Sequence, residues 1–106
     1  MPGQPARNIM NIGVCKINLR LPENASLKGK RQIIKSLAGR VENKFNVSVA
    51  EVENQDRWQL ATLGVACVSN DGRHANEVLS RVMDFITGSH FDVELLDYEI
   101  EILAVF

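Results

Sequence analysis

Hydrophobic residues recur along this chain with two different periods, and the order in which those periods alternate is what most restricts its fold. From Ile12 to Leu21 the period is two. Cys15, Ile17, Leu19 and Leu21 take one side and Lys16, Asn18 and Arg20 the other, which is the pattern of a strand with a buried and a wet face. Pro22 ends it. From Ser26 to about Lys44 the spacing becomes helical, with Leu27, Ile34, Leu37, Ala38, Val41 and Phe45 in one arc and Lys28, Arg31 and Lys35 on the opposite one. Ser26 is a residue that caps a first turn, although Gly29 stands where a capping box would place Glu.

Asn46 is expected to close this helix, and Val47 to Glu53 then reads as a short strand. A polar stretch, Asn54-Gln55-Asp56-Arg57-Trp58-Gln59, separates it from a third strand over about Trp58 to Val68. The turn Ser69 to Gly72 supplies a second helix cap at Asn70 or Asp71. Ala75, Val78, Leu79, Val82 and Ile86 repeat at helical spacing until Gly88. In the last strand, Val93 to Leu103, Leu96, Tyr98, Ile100 and Ile102 alternate with Asp97, Glu99 and Glu101. Met1 to about Met10, with two prolines and a glycine, has no periodicity and is expected to be a disordered tail before one domain covering 11–106.

Strand, helix, strand, strand, helix, strand is the order of a split β-α-β unit used twice, the α+β ferredoxin-like arrangement. Right-handed crossovers put both helices on one face of a four-stranded antiparallel sheet in the order 4-1-3-2. The other face is left open. Residues 1–45 carry nine Lys/Arg and two Asp/Glu, whereas residues 46–106 carry three and eleven. Because the first and fourth strands are neighbours in this order, Lys16 and Arg20 are expected to face Asp97, Glu99 and Glu101 across the open side, which neutralises part of that asymmetry internally.

The totals exclude several classes. No run approaches the roughly 20 apolar residues of a membrane helix, and the N-terminus lacks the basic-then-apolar order of a signal peptide, so a cytoplasmic protein without a membrane partner is expected. Cys15 and Cys67, in apolar strands, are expected to be buried free thiols. Two cysteines cannot hold an iron–sulfur cluster, which needs four ligands. His74 and His90 read as solvated surface residues. Alternation places Glu51 and Glu53 on the same face of an edge strand, as solubilising charges more than as a metal site with Asp56. No catalytic residue, metal ligand, cofactor or small-molecule ligand is identified.

From about Ile12 to Leu103, and through the motifs between Leu21 and Asp71, the chain resembles the YlxP-like family of small bacterial proteins. The matching features are Leu-Pro before a Ser-Leu-Lys-x-Lys-Arg helix start, Phe-Asn-Val-Ser-Val-Ala-Glu-Val, Gln-Asp-x-Trp-Gln, and Leu-Gly-Val-Ala followed by Val-Ser-Asn-Asp. The resemblance implies a ferredoxin-like fold and no established activity. It also implies a translation context, since genes of the family often lie in operons for translation and ribosome maturation, near that of ribosome-binding factor A.

Three functional expectations follow. RNA recognition by base stacking on the sheet is disfavoured, because the wet positions of the first and third strands are Lys16, Asn18, Arg20, Thr62, Gly64 and Ala66, none aromatic. Phosphate contact through Lys28, Arg31 and Lys35, flanked by Lys30 and Arg40, is the alternative for a ribosome- or RNA-associated factor. Second, Trp58 with Gln55, Asp56, Gln59 and Leu60 is expected to anchor a protein contact with the open sheet face, most simply a homodimer. In that expectation the half of the face built from the second and third strands is apolar, and the half built from the first and fourth is charged. The third is a small ligand-binding module or enzyme with its site at the 53–59 hairpin.

Overall fold

The computed structural model describes residues 10–106. The expected disordered tail, residues 1–10, lies outside the described residues except for Met10, where strand β1 already begins. Six elements follow in chain order: β1 Met10–Arg20, α1 Leu27–Lys44, β2 Ser48–Glu53, β3 Leu60–Ser69, α2 Gly72–Thr87 and β4 Glu94–Val105. The strands form one antiparallel sheet in the order β2-β3-β1-β4, which is the expected 4-1-3-2 order read from the other edge. The chain is therefore an α+β, ferredoxin-like sandwich.

Each element starts and stops for a local reason. The Ser26 hydroxyl accepts from the Gly29 N–H at 2.9 Å and caps α1. A Cβ at Gly29 would collide with the Asn24 side chain. The glycine at the capping-box position thus makes room for Asn24, whose amide donates to the carbonyls of Ser26 and Trp58. Asp71 caps α2 by accepting from the Arg73 N–H at 2.9 Å, and Gly88 closes it. α1 ends at Lys44 with Phe45 as its C-cap, one residue before the expected Asn46.

The core lies between the sheet and both helices. Cys15, Ile17, Leu19 and Leu21 of the first strand and its end meet Ala61, Leu63, Val65 and Cys67 of β3, under Ile34, Leu37 and Val41 of α1 and Ala75, Leu79, Val82, Met83 and Ile86 of α2. α2 packs on β1, β3 and β4, whereas α1 covers β2. Both cysteines are buried free thiols. Burial pushes the Cys15 thiol up to about 11 and raises that of Cys67.

Two irregularities correct the simple alternation. β4 slips register beside Asn18 and Leu19, so Leu95 pairs with the buried Leu19, while Leu96 stands exposed and is not part of the core stripe. β2 slips between Glu51 and Glu53, opposite Leu63 and Thr62. A one-residue slip reverses facing. Glu51 therefore points to the helices and Glu53 to the open face, not to one shared face.

Candidate functional site

Three regions named from the sequence are resolved differently by the fold: the hairpin between β2 and β3, the outer side of α1, and the open face of the sheet. The hairpin is held from beneath by Lys30. This side chain is 0% exposed, and its ammonium donates to the carbonyl oxygens of Asn54 (2.6 Å), Leu60 (3.1 Å) and Gln55 (3.3 Å). Glu51 Oε2 lies 2.7 Å from the same nitrogen. Three N–H bonds serve the three carbonyls, so the carboxylate contact is ionic and Oε2 has no hydrogen bond of its own. Lys30 is thus withdrawn from the basic flank of α1 to which its sequence neighbours assign it. Its burial is tolerated because four oxygens replace water around the charge.

The remaining polar groups of the hairpin are mostly engaged within the chain. Asn54 adopts φ 64°, a left-handed conformation that Asn tolerates better than most residues. Its amide donates to Thr62 Oγ1 at 2.9 Å, the Thr62 hydroxyl to Asn18 Oδ1 at 2.7 Å, and the Asn18 amide to Asp97 Oδ1 at 2.6 Å. This directed chain crosses the sheet from the hairpin to β4. The Gln59 amide donates to the carbonyls of Pro22 and Asn24, each at 3.1 Å, and the Gln55 amide reaches Glu51 O at 3.4 Å. Gln55 and Gln59 therefore clasp the fold, which leaves a ligand site at 53–59 with few free groups. Asp56 and Trp58 remain exposed, Trp58 at 56%, beside the partly buried Leu60. β3 begins at Leu60, so Trp58 belongs to the loop, where it shares a shallow depression with Arg20 and Arg57.

On α1, Lys28, Arg31 and Lys35 are exposed, and none makes an ion pair among the described residues. Arg40 and Lys44, also exposed, differ from them: the Arg40 guanidinium lies 5.8 Å from the Phe91 ring, and the Lys44 ammonium 5.9 Å from Phe45 and 5.8 Å from Phe85. The one acid of the helix, Glu42, accepts from the Val49 N–H of β2. The stripe of three thus has no internal counter-charge.

The open face reads as successive rows across the strands. Val68, Ile12 and Leu103 form one; Ala66, Val14 and Glu101 the next; Gly64, Lys16 and Glu99 the next; and Thr62, Asn18 and Asp97 the fourth, with Leu60, Arg20 and Glu94 at the hairpin end. The division between apolar and charged therefore runs across the strands as well as between them, because Ile12, Val14 and Leu103 join the apolar end. Lys16 stands opposite Glu99, as expected, but its ion pair of 2.6 Å is with Glu53 on β2, reached across Gly64 of the intervening strand. The register slip gives Arg20 to Glu94 at 3.0 Å. Glu53, and then Glu99 and Asp97, hold the Lys16 ammonium above the ordinary lysine range. Glu51, Glu53 and Asp56 do not gather, and His74 and His90 are both exposed.

The sequence profile of a family described as protein of unknown function (DUF503) matches residues 12–100. A relative, the uncharacterized protein YlxP of Bacillus subtilis (strain 168), is 40% identical over 75 residues, which cover 71% of this chain and 82% of that protein. Among solved structures, the de novo designed protein Foldit4 superposes with a TM-score of 0.50 at 15% identity, over 92% of this chain and 97% of that one, which bears on the fold alone. No described helix is long and apolar enough to cross a membrane.

Proposed function

We propose that this chain, which belongs to the DUF503 family of proteins of unknown function, is a non-catalytic binding protein that presents helix α1 to an anionic polymer, RNA of the translation machinery in the first place. The observation that carries this reading is the stripe Lys28, Arg31 and Lys35: three exposed cations at steps of three and four residues with no acid paired to them among the described residues. At 1.5 Å per residue they extend over about 10 Å of helix. Such a row meets phosphates without reading bases. The hairpin supports a binding role over a catalytic one, since its carbonyls and amides are consumed in holding α1 and the β1–α1 loop.

The test is a titration of fluorescent single-stranded RNA at several salt concentrations. Three phosphate contacts give a slope of log affinity against log salt of about −2. Reversing Lys28, Arg31 and Lys35 to Glu should abolish binding and the slope with the circular dichroism spectrum intact. Undiminished binding by that variant sinks the reading. A second reading, self-association at the hairpin, is favoured by the exposed Trp58 beside Leu60. Under it, Trp58→Ala weakens association in sedimentation equilibrium. A parent chain that stays monomeric at high concentration removes it.

A further inference from the structure

The open face carries a trough of about 790 Å³. Its floor is mainly apolar, with Val14 of β1, Gly64 and Ala66 of β3, and Ala50 and Val52 of β2, Val52 being 46% exposed, and at one end Lys16 of β1, ion-paired with Glu53. Val52 leans over Gly64, where an added Cβ would lie 3.1 Å from its Cγ1. Beyond Val14 the floor continues into the row Val68, Ile12 and Leu103, in which Val68 is 67% and Leu103 43% exposed. The walls are acidic on both sides, Glu53 on β2 and Glu99 and Glu101 on β4.

Its dimensions select the occupant. Beside the Val14 to Asn18 rows, where β2 is present, β2 and β4 are separated by three strand spacings, about 14 Å, which admits one α-helix with side chains, about 10–12 Å across. From the Met10–Val105 row to the Lys16–Glu99 row the face runs six residues along β1, about 20 Å, the length of about 13 helical residues. Charge selects further. The open face holds five acids (Glu53, Glu94, Asp97, Glu99, Glu101) and two cations (Lys16, Arg20), a net of −3 by subtraction. Two copies laid face to face would set one acidic surface on another. The helix α1 of a second copy does not fit either, since its outward side is polar where the floor is apolar.

We infer that the open face is the docking site of an amphipathic helix from a partner protein, apolar along one side and flanked by lysine or arginine. The apolar side of that helix seats over Val14, Ala66 and Val52, and its flanking cations meet Glu99 and Glu101, which hold no ion pair among the described residues, whereas Glu53 is already paired with Lys16. This surface lies on the side of the sheet away from α1, so the chain joins a basic-flanked helix on one side and an anionic polymer on the other.

A labelled 14-residue leucine–lysine peptide of helical amphipathic pattern is the probe, read by fluorescence anisotropy against the full chain. It should bind in the micromolar range. A scrambled peptide of equal composition should bind at least tenfold more weakly, and a leucine–glutamate peptide not at all. Glu99→Lys should weaken binding about tenfold, whereas Glu77→Lys, the same charge change on the exposed side of α2, should leave it unchanged. Val52→Ser, at an exposed position outside the hydrophobic core, should weaken binding several-fold with the circular dichroism spectrum intact. Equal binding of the scrambled peptide, equal effects of Glu99→Lys and Glu77→Lys, or a chain dimer that Val52→Ser dissociates and the peptide does not, would overturn the inference.

Discussion

Two lysines two residues apart on helix α1 have opposite fates. Lys28 is exposed and makes no ion pair among the described residues, whereas Lys30 is 0% exposed with three carbonyls and a carboxylate around its nitrogen. Residue type does not separate them; angle on the helix does. Lys30 lies one turn before Ile34 and one heptad before Leu37, at the middle of the buried arc, and Lys28 is rotated by two residues, about 200°, to the far side. A cation on the inner arc is structural because burial forces it to find oxygens. The same cation on the outer arc is left to whatever the solvent contains.

The sharpest way to break that contrast is Lys30→Met. It leaves three carbonyls and the Glu51 carboxylate without their cation, and urea unfolding should show a loss of about 3–5 kcal/mol. A loss below about 1 kcal/mol would mean that the hairpin relaxes and the lysine is incidental. Next in size is Asn54→Ala, which removes the first donor of the Asn54–Thr62–Asn18–Asp97 chain and puts alanine, which tolerates a left-handed backbone less well than asparagine, at φ 64°. It should cost about 1–3 kcal/mol, and Asn54→Gly, which suits the backbone, should cost less.

On the outer arc, the triple Glu substitution at Lys28, Arg31 and Lys35 should change stability by less than about 1 kcal/mol. A larger loss would show that these cations are structural after all.

The smallest effect concerns Lys16. Its folded-state pKa is raised, chiefly by Glu53. The contribution of this pair is therefore present below the ordinary lysine pKa and is lost as pH rises through the raised one. Glu53→Gln should move the Lys16 titration, followed by NMR above pH 10, back toward the ordinary value. An unmoved titration would show that Glu99 and Asp97 hold it instead.

Much of this was legible along the chain. The alternation of Cys15, Ile17 and Leu19, the helical recurrence of Leu79, Val82 and Ile86, and the caps Ser26 and Asp71 all stand where their spacing placed them. The position of Lys30 on the apolar arc was legible too, and angular placement alone marks it as a buried cation. Residue type misleads there, because lysine is usually assigned to solvent. The two register slips were not legible. Nothing in Glu51-Val52-Glu53 or Leu95-Leu96-Asp97 announces an extra residue, since a slip is decided by what the neighbouring strand offers. Each slip then reassigned one acid, Glu53 to Lys16 and Glu94 to Arg20, while Glu51, ahead of the slip, kept the helix side and met Lys30.

By itself the sequence determined the order of elements, the sheet order and which stripe each helix buries, because those follow from periods and chain connectivity that are local. Only the tertiary structure decided which acid serves which base, that the polar hairpin is spent on Lys30 and the β1–α1 loop, and that Ile12, Val14 and Leu103 extend the apolar floor. Those outcomes depend on distances of a few ångströms between strands far apart in the chain, and Coulomb and hydrogen-bond energies change steeply over such distances.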